Sequence, residues 1–219
     1  MRPSLVLTIN LFLALLITAS PIGAATVDEL YQKAIRLDKE GFLDEAAQTW
    51  VQLLKSNPEK PLQTFATLKL SSTYLKLTEP YKAVETLKKL TLSQPGHFDA
   101  QFHLGNALAK IKNYPEAIEA FKKTIELRPN EGLGNVGLAL AHFGNRQPDA
   151  AIQQLQEAKK IFKNKKNISW YRDARIMVEQ IKGFAKYPPS FSDLWLANNL
   201  ELVRNTYEKA VFNLDDLKK

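Results

Sequence analysis

Cysteine is absent from the 219 residues, and histidine occurs only at His97, His103 and His142. Without cysteine there can be no disulfide, no thiolate nucleophile, no cysteine-held zinc and no anchor through a lipidated cysteine. Three histidines, with no His-Glu-x-x-His motif among them, give no metal centre. No Gly-rich phosphate cradle occurs either: Gly132, Gly134 and Gly137 follow no strand and read instead as close packing at the start of a helix. Charge is not extreme. The whole chain carries 30 Lys and Arg against 23 Asp and Glu, and without a recognition motif this modest excess does not point to nucleic acid. His97 lies in a turn after Pro95-Gly96 and His142 stands in a packing position, so no set of groups converges for catalysis. No enzymatic activity, cofactor, metal or small-molecule substrate is expected.

Residues 1–25 read as a segment apart. Arg2 gives a positive start, Leu5 to Ala19 is an apolar run, and Pro21-Ile22-Gly23-Ala24-Ala25 supplies the small residues of a cleavage site. Two readings follow: a cleaved signal peptide, or a retained N-terminal anchor, since the stretch approaches the ~20 residues that span a bilayer. The small residues and Pro21 favour cleavage after Ala25. Either way the remainder is expected across the membrane from the cytoplasm, and the lack of cysteine suits a bacterial periplasmic protein better than a secreted eukaryotic one. Five lysines, Lys159, Lys160, Lys163, Lys165 and Lys166, cluster near one helix end. They read first as a solvated terminus and second as a weak contact for anionic headgroups.

What the chain has in abundance is internal repetition. The pair Ala46-Ala47 returns as Ala83-Val84, Ala117-Ile118 and Ala151-Ile152, at intervals of 37, 34 and 34 residues. Twelve positions before each alanine stands a small residue, Ala34, Ser71, Gly105 or Ala139. Nine before stands Leu37, Tyr74, Leu108 or His142, and four after stands Trp50, Leu87, Phe121 or Leu155. Small residues let two helices approach closely while the bulky ones fill the space beside the crossing. Pro58, Pro95 and Pro129 then end each unit. Lys163 replaces the fourth proline, and about three extra residues, Pro61 to Gln63, separate the first two units.

These columns resemble the tetratricopeptide repeat family, most closely in Phe102-His103-Leu104-Gly105-Asn106-Ala107-Leu108, Tyr114-Pro115-Glu116-Ala117-Ile118-Glu119-Ala120-Phe121 and Leu127-Arg128-Pro129-Asn130. The resemblance implies an all-α, right-handed solenoid of four helix-turn-helix repeats, at about 27–60, 64–97, 98–131 and 132–165. A degenerate fifth unit and a final amphipathic helix fill 166–219. It also implies a protein-binding scaffold whose first helices line a concave groove. Carried over residue by residue, that groove holds Tyr31, Ile35, Leu68, Ser72, Phe102, His103, Asn106, Val136 and Leu140, with Phe65, Leu75 and Phe143 nearby. Such a lining lacks the Lys/Asn/Arg pattern that grips a C-terminal carboxylate and suits an amphipathic helix of a partner protein.

Beyond Pro188-Pro189, Leu196, Leu200, Val203, Tyr207, Ala210, Leu214 and Leu217 form one helical stripe. A stack of repeats leaves an apolar end, so the stripe reads first as a cap on that end, over Trp170 and Met177. The alternative is that it folds back into the groove.

Overall fold

The computed structural model describes residues 25–212. The proposed leader up to residue 24, and Leu214 and Leu217 of the final stripe, lie outside the described residues. Four antiparallel helix pairs run in sequence: α1 (Val27–Glu40) with α2 (Leu43–Lys55), α3 (Lys60–Lys76) with α4 (Pro80–Ser93), α5 (Phe98–Lys110) with α6 (Tyr114–Leu127), and α7 (Gly132–Gly144) with α8 (Pro148–Asn164). Then come α9 (Ile168–Gly183), a single 3-10 turn at Phe184–Lys186, and α10 (Pro189–Val211).

Local chemistry sets these boundaries. Thr26 and Glu29 form a capping box in which each side chain accepts the other's backbone N–H. Prolines occupy the first turn of α3, α4, α6 and α8, where no amide partner is lost. The extra residues at Pro61 to Gln63 do not lengthen a loop, because α3 absorbs them as an added first turn. Without a proline at position 163, α8 runs on to Asn164.

The turn inside each pair uses one left-handed residue in the same repeat column: Gly41, Thr78, Lys112 and Arg146, all with positive φ. For a β-branched residue this conformation is strained. Thr78→Gly is therefore expected to raise stability by about 0.5–1 kcal/mol, the relieved strain outweighing the added freedom of the unfolded chain. A lower melting temperature for the variant would contradict this.

From α1 to α9 each helix packs against the next, and α3, α5 and α7 lie side by side on one face. The tightest joint is in the third and fourth repeats. Phe121 is fully buried between the backbones of α5 and α7. A methyl group on Gly105 would come within 2.9 Å of its ring, and one on Gly137 within 2.4 Å. The first repeat has its own apolar cluster, around Trp50, Leu53, Ala66 and Leu70, which meets the main core through Tyr74. Asp38 at the end of α1 ties the two together by pairing with Lys69 and Lys76 of α3.

The final helix does not cap the stack, which corrects the first sequence reading. Instead α10 lies across α7 and α5 and touches α9 through its early residues, where Trp195 Nε1 donates to Gln180 at 2.9 Å. The reason lies in α9. Trp170 is already covered, stacked on Phe162 of α8 at 5.8 Å, and the outer side of α9 exposes Arg172, Arg175, Glu179 and Lys182. Ala174, the small residue of α9, is already fully buried, and Asp173 beside it is half-buried and bonded to Arg172. The larger uncovered apolar surface was the row of first helices, and α10 lies on it.

Candidate functional site: a concave groove with its own helix in place

The groove is built from one repeated face. In register, Tyr31, Leu68, Phe102 and Val136 form one row along α1, α3, α5 and α7, and Ile35, Ser72, Asn106 and Leu140 form the next. Its two ends differ. At the first repeat Tyr31 and Ile35 are only half-buried, with the Tyr31 ring 6.0 Å from Phe65 and 6.2 Å from Trp50. From α3 to α7, Leu68, Ser72, Phe102, His103, Asn106, Val136 and Leu140 are all buried, and α10 is the element lying over α5 and α7.

The contacts place α10 antiparallel to α5. Leu196 and Leu200 lie near Ala109 and Lys110 at the end of α5, while Tyr207 lies at its start. The Tyr207 ring sits 4.0 Å from Phe102 and 5.9 Å from Phe98, and its hydroxyl donates to Asp99. Phe102 is in turn backed by Phe121, edge-on at 5.9 Å. Burial, and then the Asp99 carboxylate, push the Tyr207 phenol well above its usual range, so it remains a donor. Further along, Phe212 meets Phe65 at 5.9 Å and His103 at 5.5 Å. At the other end Trp195 meets Phe143 at 5.2 Å and Phe184 at 5.0 Å. Ala210, assigned to the stripe from spacing, is exposed.

Beside Asp99 of α5 and Lys69 of α3, α10 brings charge of its own into the groove. Arg204 is buried and bonded within its own helix to Glu201 and, at 2.9 Å, to Glu208. Opposite it, His103 is 1% exposed, and neither ring nitrogen has a hydrogen-bond partner. Its closest charge is Glu208, at 4.0 Å. Burial lowers the His103 pKa below the ordinary range, and Arg204 and Lys69 act in the same direction against the opposing pull of Glu208 and Asp99.

The sign of the pH dependence follows. Because the folded value is depressed, the neutral ring's contribution is present above the unfolded value of about 6.5 and is lost as pH falls through and below it. Melting of the parent is expected to fall more between pH 7.5 and 5.5 than that of His103→Leu, which should be at least as stable at pH 7.5. Equal pH profiles would refute the assignment.

All nine groove positions expected from the sequence lie on the first helices. Those of α5 and α7 come together beneath α10, Leu68 and Ser72 are buried beside them on α3, and Tyr31 and Ile35 stand apart with the first-repeat cluster. Asp99, Arg204 and Glu208 carry no signal in the sequence that marks them for the groove. Tyr207 was visible in the stripe, though not its seat on Phe102.

Residues 98–131, the third helix pair with the turn that follows it, match the tetratricopeptide repeat family. Solved structures share the architecture. MamA of strain AMB-1 is 26% identical over 65% of this chain and 82% of its own, with a TM-score of 0.58. A MamA double mutant of strain RS-1 is 17% identical over 84% of this chain and 97% of its own, with a TM-score of 0.61. YrrB, a tetratricopeptide-repeat protein with an unusual peptide-binding site, is 18% identical over 62% of this chain and 69% of its own, with a TM-score of 0.56. No curated protein matches the chain in sequence.

Proposed function

We propose that this chain, an all-α tetratricopeptide-repeat protein, is a non-enzymatic protein-binding scaffold that takes an amphipathic helix of a partner in its concave groove. One observation carries the reading: the groove already holds such a helix, α10, with Leu196, Leu200, Val203 and Tyr207 buried on it. A surface that accepts a helix from its own chain has the width and apolarity to accept one from elsewhere. YrrB, with its peptide-binding site on the same kind of fold, is consistent with this.

Binding then competes with α10. The linker through Pro188-Pro189 holds α10 near its seat at high effective concentration, so a partner sees a weakened groove until α10 leaves. The direct test is a labelled peptide of residues 189–212 titrated against the full chain carrying Tyr207→Ala, in which α10 is loosened. Saturable binding, weaker to the parent chain, is the expected result. A peptide that binds neither chain would overturn the reading.

The place of action we propose is the cell envelope, with the protein exported to the periplasm. The apolar run Leu5 to Ala19 and the small residues up to Ala25 support this. Among the described residues no helix is long and apolar enough to cross a membrane. Mass spectrometry of the mature N-terminus is the test: a start at Thr26 fits release, and an intact Met1 in the membrane fraction would mean a tether.

A further inference from the structure

The floor of the groove is not uniformly apolar, and its polar part is poorly served by α10. Ser72 on α3 and Asn106 on α5 stand in the same repeat column, and His103 lies one turn before Asn106. All three are more than nine-tenths buried. Ser72 Oγ, both His103 nitrogens and Asn106 Oδ1 have no hydrogen-bond partner among the described residues. Asn106 uses only its amide nitrogen, which donates to the Phe102 carbonyl within the same helix.

The helix lying opposite carries polar groups near this row, but those closest to His103 and Asn106 are taken up within α10, and Glu208 stops 4.0 Å short of His103 Nδ1. Arg204 bonds Glu201 and Glu208 three and four residues away on α10, and what α10 offers to His103 is mainly the rings of Tyr207 and Phe212. Buried donors and acceptors without partners are costly, and a ligand that meets them is favoured over one that does not. The apolar floor fits α10 and the polar row does not.

Resting on the helix-in-groove reading above, we infer that Ser72, His103 and Asn106 form the specificity row of the groove, and that the true partner is an amphipathic helix carrying uncharged hydrogen-bonding side chains, carboxamide or hydroxyl, where α10 carries the self-paired Arg204 and Glu208. Such a helix places a group that both donates and accepts beside His103, which in its neutral form has one nitrogen of each kind. It also reaches Asn106 Oδ1 with a donor. The partner thereby outcompetes α10 through hydrogen bonds that α10 leaves unmade, while the apolar stripe contributes equally to both.

The experiment uses the full chain with Tyr207→Ala and two synthetic helices. One is the natural sequence of residues 189–212, and the other is the same peptide with Arg204→Gln and Glu208→Gln. Affinities are read by fluorescence anisotropy. The carboxamide peptide is expected to bind at least tenfold tighter, and this advantage should vanish when the chain also carries His103→Leu and Asn106→Leu. Each of these is also made singly, and Ser72→Ala, which removes only a hydroxyl, is measured beside them, so that a poorly folded double variant does not decide the outcome. Equal affinity of the two peptides overturns this inference and leaves the groove reading standing. So does an advantage that survives removal of the polar row. Failure of both peptides to bind overturns the groove reading, and this inference with it.

Discussion

Replacing Phe121 with alanine is expected to destabilise the chain by about 3–5 kcal/mol, the usual loss for a buried phenylalanine. The upper part of that range applies here because the site cannot collapse. The ring fills a socket formed by Gly105 on one side and Gly137 on the other, and two glycine backbones have no side chains with which to fill the void. Against a total stability of about 5–15 kcal/mol, the loss is a large fraction. In a stack held by neighbour contacts it should appear first as opening around the joint. Hydrogen exchange should accelerate in α5, α6 and α7 well before α1 and α2 respond. Because Phe102 loses its backing, α10 should be released as well. Lys122→Ala, one residue on and exposed, is the control and should shift stability by no more than about 0.5 kcal/mol. If the two variants melt alike, the packing described for α6 is wrong.

Tyr207→Ala should act differently, on the position of α10 more than on the repeats. The substitution removes a ring held between Phe98 and Phe102 and a hydrogen bond to Asp99, at a cost of about 3 kcal/mol. If that cost falls on the closed arrangement alone, the population with α10 detached rises by about 100-fold. Amide exchange and proteolysis should then increase along 189–211 while α5 and α7 stay protected. Affinity for a groove ligand should rise by up to the same factor. Tyr207→Phe keeps the ring and loses only the hydroxyl, so it should show a small part of the effect. A uniform loss of protection across all repeats would mean that α10 is an ordinary part of the core and not a displaceable occupant.

The difference between what could be read from residues and what could not has a physical basis. The repeat columns were legible because each encodes a contact between neighbours in sequence: Gly105 against Phe121 is the third unit's own business, sixteen positions apart. The groove rows were legible for the same reason, since a repeated fold places equivalent positions on one face. The seat of α10 was not. Tyr207 meets Asp99 across 108 positions, and a helical stripe states that a surface must be covered without stating by what. Nor does residue spacing show whether the end of the stack is left open. The end was already dry at Trp170 and charged along its outer side at Arg172, Arg175, Glu179 and Lys182, and so needed no cap.

The occupied groove is the claim on which the functional reading rests, and a crosslink tests it directly. A diazirine-bearing residue of similar size replaces Phe102 in the full chain, and irradiation is followed by tryptic digestion and mass spectrometry. Cleavage after Arg204 and Lys209 yields the short peptide Asn205–Lys209, which contains Tyr207. This peptide is expected to carry the intramolecular adduct in the free chain, and added groove ligand should lower its yield as an adduct to the ligand appears. Adducts confined to neighbouring repeats, with none to 205–209, would contradict it.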